Sequence, residues 1–324
     1  MNLITRRSAL AAGAGALAAI AAGCSSGGGD ASATAPADTG EGFPRTIRHA
    51  LGATTIPRRP ERVVSLDTAG ITDPLLALGI TPVGATTYTG TPGGNRFPPA
   101  IEPLTEGVRS VGGNGEPNFE AIAALEPDLI VGYEFSFGEE PSKVTGIAPS
   151  VAVDVGGVYG WDHELLRIAE ATGREDAVAG LVEEVGASAE RARGRVGRSR
   201  VAVIRPQTES FIHDGPNSQS GRFVAMANVS TEGFLPGEPF GDVGTRVSLE
   251  RLGDLSGDHL FVLTYDIDPD EFESLYERNR LWRQLPAVRA GNVHPVEGTA
   301  WTDGGVLALQ SVLEEAADAL AGAG

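Results

Sequence analysis

Apolar positions recur in two rhythms along this chain. RVVSLD (Arg62–Asp67) is a short β-branched run, and GITDPLLALG directly after it has helical spacing. ITPVGATTY predicts a second strand ending at Tyr88. EAIAALEP predicts a helix with a turn at Pro127–Asp128, and Leu129–Tyr133 a third strand. The alternation resumes at Arg200–Pro206 and at Asp258–Tyr265, and GGVLALQSVLEEAADALAG predicts a closing amphipathic helix. Strands alternating with helices predict parallel sheets covered by helices, an α/β fold.

Between the two αβ stretches lies REDAVAGLVEEVGASAERARGRV, with Val178, Leu181, Val182, Val185, Ala189, Ala192 and Val196 at helical spacing. About 20 residues at 1.5 Å each make a rod of about 30 Å, long enough to cross from one lobe to another. Gly180, Gly186 and Gly194 weigh against an unbroken helix by roughly 1 kcal/mol each relative to Ala.

A repeat relates the two stretches. Asn118-Phe119-Glu120 leads to Ile122, Leu125, Asp128 and Ile130-Val131. Ser248-Leu249-Glu250 leads to Leu252, Leu255, Asp258 and Leu260-Phe261, at a constant offset of 130. Each series reads as a helix N-cap, a first-turn Glu, apolar residues at helical spacing and an Asp-led strand. Two related lobes are the expectation.

Formal charge is −18, and removal of Arg6 and Arg7 would take it to −20. So acidic a body repels phosphate backbones and anionic lipid heads, which argues against nucleic acid as a partner. The two arginines precede an apolar run of about 14 residues, Ala9–Ala22, too short to span a bilayer. This leader reads as an export signal of the twin-arginine kind. The single cysteine, Cys24, follows small residues and precedes a Ser-, Gly- and Pro-rich stretch suited to a flexible tether. By analogy with bacterial lipoprotein signals, Cys24 is the expected lipidated N-terminus, although Ala21 stands where such signals prefer Leu. The expected divisions are an export signal at 1–23, a tether at 24–42, lobes at 43–160 and 199–324, and a helical bridge at 161–198.

With these residues in view, the chain resembles the siderophore-type periplasmic binding proteins of ABC importers, the group that also carries haem and cobalamin. The likeness covers roughly residues 43–320 and rests on five blocks. They are ERVVSLD, VGGNGEPNFEAIAALEPDLIVGY, IAPSVAVDV, VSLERLGDLSGDHLFVL and LWRQLPAVRAGNVHPVEGTAW. It implies two αβ lobes joined by one long helix, a ligand cleft between them, modest closure, and no enzymatic activity. It implies a ferric siderophore as ligand with iron entering only inside the chelate, no other cofactor, and a membrane permease as partner. An extracytoplasmic, lipid-anchored monomer is expected. In this family a Glu on each lobe docks on permease arginines, and the matching positions are Glu120 and Glu250.

Sites in αβ sheets lie on the loops after the strands. Tyr88 and Tyr133 follow strands of the first lobe, Arg205 follows VAVI in the second with Arg222 beyond it, Phe240 precedes the VSLE block, and Trp301 ends VEGTAW. Aromatic faces and guanidinium donors suit a chelate with apolar arms and electron-rich oxygens. Trp282, inside a helical LWRQL pattern, reads as core. Asn114 stands where the family often has Arg, which argues against a strongly anionic chelate such as a tricatecholate. Hydroxamate, catecholate, mixed, haem and cobalamin ligands all remain open.

Two other classes are weaker. Direct capture of zinc or manganese needs clustered ligands, but His49, His163, His213, His259 and His294 have no close metal spacing. His259 reads as structural. A lipid-anchored hydrolase would need a nucleophile motif, and the body has no G-x-S-x-G, no H-E-x-x-H and no cysteine.

Overall fold

The short β-branched runs pair into two separate main sheets. A computed structural model describes residues 42–88, 96–154, 160–196, 199–216, 218–227, 230–231, 235, 237–240, 244–264 and 267–321. The export signal, Cys24 and the tether up to residue 41 lie outside the described residues.

The first half contains β1 (Arg45–His49), β2 (Gly52–Ile56), β3 (Val63–Ser65), β4 (Gly84–Ala85), β5 (Arg109–Ser110), β6 (Gly112–Gly113), β7 (Glu116–Pro117), β8 (Leu129–Tyr133) and β9 (Ser150–Val153). Five of these form a parallel sheet in the order β5-β4-β3-β8-β9, while β1-β2 and β6-β7 are hairpins. β4 stops at Ala85, so Thr86–Tyr88 continue as irregular chain beyond the sheet rather than as strand.

The second half contains β10 (Arg200–Pro206), β11 (Ser210–Asp214), β12 (Ser230–Thr231), β13 (Glu238–Phe240), β14 (Gly244–Ser248), β15 (His259–Leu263) and β16 (Val293–Val296). They make a seven-stranded sheet in the order β13-β14-β11-β10-β15-β16, with β12 paired to β10. This sheet is mixed: β12, β15 and β16 run parallel to their neighbours, whereas β11, β13 and β14 pair antiparallel. The connection from Pro206 to Ser210 is too short for a crossover and can only return the chain antiparallel.

The helices are α1 (Thr72–Ala77), α2 (Phe119–Ala123), α3 (Pro141–Thr145), α4 (Trp161–Thr172), α5 (Glu175–Arg195), α6 (Gln219–Met226), α7 (Pro269–Phe272), α8 (Pro286–Ala290), α9 (Gly298–Asp303) and α10 (Val306–Ala321). α5 is the bridging helix. Near its start Val178 packs with Val63, Leu129 and Val151 of the first sheet. Further along, Val185, Ala189 and Ala192 pack with Val201, Val203 and Phe261 of the second. Leu181 touches both cores. The helix runs unbroken through Gly180, Gly186 and Gly194, which face open space, so their lack of side chains costs no packing. Ion pairs hold each end: Arg45 to Glu175, and Arg195 to Asp318 on α10.

A second link between the halves is more directional. Asp73, fully buried on α1, accepts the Leu307 and Ala308 backbone N–H groups at 2.9 and 2.8 Å. It thereby satisfies donors that the first turn of α10 cannot satisfy internally. A Cβ on Gly305 would lie 2.6 Å from the Asp73 carboxylate and 2.7 Å from Pro74, so this approach needs glycine.

The repeat survives in its aspartates. Asp128 accepts the Arg62 N–H at 2.8 Å, and Asp258 accepts the Arg200 N–H at 3.1 Å. Each thus ties its own strand to the start of the parallel neighbour. The caps have diverged: Asn118 accepts the Ala121 N–H at 2.9 Å, but Ser248 makes no such bond and a 3-10 helix follows it.

Candidate functional site

The carboxyl ends of the parallel strands turn toward one another across the two halves. From the first come Asp67 after β3, Tyr88 beyond β4 and Tyr133 at the end of β8, with Glu164 on α4 beside them. From the second come Glu297, Thr299 and Asp303, which follow β16. The Tyr88 hydroxyl lies against Thr299 and senses the carboxylates of Asp303, Asp67 and Glu297. Burial first, and those charges second, push its pKa far above the usual phenol value.

Burial also dominates the acids. Asp67 accepts the Ala69 N–H at 3.0 Å, yet burial and the facing Asp303 raise its pKa to about 6. Glu164 rises to about 7 through burial, against the opposing effect of a hydrogen bond from Tyr133. Asp73 rises to about 6 through burial despite its bonds to α10. Tyr133 itself is raised, through burial and then the Glu164 charge. Its hydroxyl fits only because Gly70 has no side chain; a Cβ there would lie 2.0 Å from the oxygen.

Tyr133 is buried, and Phe135 stacks on it with ring centroids 5.5 Å apart. Phe135 is 58% exposed and presents the aromatic face that the sequence reading assigned to Tyr133. The available signal was an aromatic just past a strand end in YEFSF, of which only the first residue was taken.

On the second sheet, Arg205 pairs with the fully buried Asp214 at 2.9 Å. Ser220 donates to the same carboxylate at 2.7 Å. Burial raises the Asp214 pKa while the Arg205 charge opposes the rise. Phe240, half-buried on β13, has the Arg205 guanidinium 5.6 Å and the Arg246 guanidinium 5.7 Å from its ring centroid. Sequence reasoning missed Arg246, an exposed position of β14 next to buried Val247. Arg222 stands half-buried on α6, two residues beyond Ser220.

Trp301 requires correction. It is wholly buried in the second core, tilted against Phe261 at 4.9 Å, and its indole N–H donates to Glu315 at 2.7 Å. Glu297 is the reason: its carboxylate accepts the Thr299 and Ala300 N–H groups, caps α9, and starts a helix where the sequence reading expected the mouth of a strand. The helix turns the indole inward, into the second core. Trp282 is buried with Phe272 and Tyr276, as expected.

Glu120 and Glu250 are both exposed in the first turn of a short helix. Ring nitrogens of His259 and His294 lie 2.9 Å apart in a stacked pair, with Phe261 tilted against His294. Among the described residues no three His, Cys, Asp or Glu side chains converge to hold a metal ion, and no helix is long and apolar enough to cross a membrane.

Residues 63–296 match a family described as periplasmic binding protein. The chain is 30% identical to the probable siderophore-binding lipoprotein YfiY of Bacillus subtilis, over 84% of this chain and 86% of that protein. It is 28% identical to the iron(3+)-hydroxamate-binding protein FhuD of the same organism, over 83% and 84%. Its fold superposes on Staphylococcus aureus SirA complexed with staphyloferrin B, with a TM-score of 0.70 at 21% identity, covering 85% of this chain and 98% of that one.

The buried acids set a pH dependence. An unfolded chain releases these protons near 3.8 for Asp and 4.5 for Glu, whereas the folded chain holds those of Asp67 and Asp73 to about 6 and that of Glu164 to about 7. Between those limits the folded state binds more protons, so stability is fullest at the acid end and is lost as pH rises. Urea midpoints measured from about pH 5 to about pH 8 should fall, and Glu164→Gln should flatten the upper part of the decline. A profile that rises over this window contradicts the assignment.

Proposed function

Because the chain belongs to the periplasmic binding protein family, whose members bind ferric siderophores and deliver them to ABC permeases, we propose that it is the lipid-anchored substrate-binding component of an ABC importer. It captures a ferric siderophore outside the membrane and carries it to the permease. It acts by binding alone, as a monomer, with no bond made or broken. The observation that carries this reading is the meeting of two sheets at their carboxyl ends, where the Tyr88 hydroxyl of one half lies against Thr299 of the other; the exposed Phe135 and the Arg-flanked Phe240 are the proposed walls. Phe135 offers an apolar face to a chelate arm, while Phe240 with Arg205 and Arg246 offers a face and donors to chelate oxygens. Tyr88, Tyr133 and Arg222 support those walls.

Half-buried Trp161 begins α4 and packs against both cores, which makes it a reporter of ligand between them. Titration of the leaderless protein with ferric hydroxamate, ferric catecholate, haem and cobalamin should give saturable tryptophan quenching by a ferric siderophore, with the ligand recovered intact. Saturation by haem or cobalamin alone would reassign the cargo, and chemical turnover would overturn the carrier reading.

Glu120 and Glu250 are the proposed permease contacts. Ion pairs between exposed groups contribute only about 0–1 kcal/mol each, but a correctly spaced pair at a desolvated interface fixes orientation. Glu120→Ala/Glu250→Ala should leave chelate affinity within about twofold and reduce uptake by about tenfold or more. Loss of affinity with normal uptake per bound ligand would place them in the cleft. Cys24 is the proposed lipid site; Cys24→Ser should release the protein from membranes, and unchanged membrane attachment would exclude that anchor.

A further inference from the structure

His259 and His294 are 35 residues apart in sequence, yet strand pairing brings them together. His294 on β16 stands opposite Phe261 on β15, and His259, two residues before Phe261, falls on the same face of the sheet. The His259 Nδ1 and His294 Nε2 atoms lie 2.9 Å apart, with the two ring planes within 18° of each other. Phe261 is tilted against His294 at 5.1 Å and against Trp301 at 4.9 Å, so the pair is fixed to the second core. It is closed on one side and open on the other. His259 is buried, whereas His294 is half-buried on β16, the edge strand of its sheet.

A hydrogen bond between two ring nitrogens needs one to donate and the other to accept, so the accepting ring is neutral. Burial lowers the pKa of both rings, and for His294 the His259 charge lowers it further. Neutral imidazole is the form that binds metal. Spacing then selects the ion. Metal–nitrogen bonds of about 2.0–2.1 Å at a right angle set two nitrogens about 2.8–3.0 Å apart, while a tetrahedral angle sets them about 3.3–3.4 Å apart. The observed 2.9 Å matches the right angle, the geometry of tetragonal Cu2+ and Ni2+ rather than of Zn2+. The Asp258 carboxylate acts on His259 in the sense that favours positive charge there.

We propose that His259 and His294 form a two-histidine site for a divalent metal ion of tetragonal preference, Cu2+ above Ni2+, with water in the remaining positions. The ion lies off the line between the two nitrogens, on the open side of His294. Each ring swings toward it and gives one lone pair, and the proton between the rings moves to the far nitrogen of the ring that carried it. No proton leaves the pair and no electron is transferred. So placed, the ion clamps the edge strand β16 to β15. The site lies toward the amino ends of these strands, whereas the candidate cleft lies at their carboxyl ends, so it stands independently of the carrier reading.

The test titrates the leaderless protein, carrying Cys24→Ser and no affinity tag, with Cu2+, Ni2+ and Zn2+ salts. One Cu2+ should bind per chain, at least about tenfold tighter than Ni2+ or Zn2+. Its electron paramagnetic resonance spectrum should show splitting from two nitrogen nuclei, and saturation should raise the thermal unfolding midpoint. His294→Ala, at the half-buried edge position, should weaken Cu2+ by about tenfold or more and abolish the two-nitrogen splitting. His259→Gln should do the same, while His163→Ala on α4 should leave binding and spectrum unchanged. Cu2+ binding of equal strength in His294→Ala, or two-nitrogen splitting that survives there, overturns the site. Absence of one-to-one Cu2+ binding in the protein with both histidines overturns it as well.

Discussion

A buried carboxylate gives the junction between the two halves of this protein its direction. Asp73 belongs to the first sheet's helix α1, yet its hydrogen bonds go to the amino end of α10, a helix of the second core. A cap of this kind contributes about 0.5–2 kcal/mol, a modest share of a typical stability of about 5–15 kcal/mol. Its weight lies in direction rather than magnitude. The N–H groups at a helix start accept a partner from a narrow cone, and a buried carboxylate without them would have no compensation for its lost hydration. Gly305 allows the approach, and α5, packed on both cores and tied to α10 by Arg195, keeps the two elements in line.

From that constraint the site follows. With α1 fixed to α10, the loops after β3 and β4 stand opposite the segment after β16, and Tyr88 reaches Thr299. Carboxylates gather there because loop starts and helix caps need them: Asp67 accepts N–H groups at the start of α1, and Glu297 caps α9. Local structural needs thus gather acidic side chains where the sheets meet, and burial holds the proton of Asp67 to about 6 and that of Glu164 to about 7. Halves joined in this way before any ligand arrives limit the rearrangement that binding requires, so affinity is not spent on ordering the protein.

Much of this was legible in the sequence. The apolar runs at Val63, Leu129, Arg200 and His259 became strands, as their β-branched and apolar residues implied. The paired Glu120 and Glu250 lie at matching helix starts, as the repeat implied. Failures arose where a local signal had two readings. Trp301 was placed on the loop past a strand, but the Glu297 carboxylate caps that segment and makes it a helix that buries the indole. ITPVGATTY looked like a full strand, but pairing ends at Ala85, where the neighbouring β5 is only two residues long. The Asp73 cap could not be read at all, since its partners lie 234 and 235 residues away and nothing local marks the aspartate as interlobe.

The central claim is that the Asp73 cap holds the halves in one arrangement before ligand arrives. It is tested most directly by the distance distribution between spin labels at Glu139→Cys and Arg289→Cys, exposed positions on opposite halves, with Cys24 removed. The account predicts one narrow distribution that shifts little on adding a ferric chelate, and a broadened one when Asp73→Ala is introduced. A broad distribution in the protein with Asp73 intact, narrowing only when chelate binds, would contradict it.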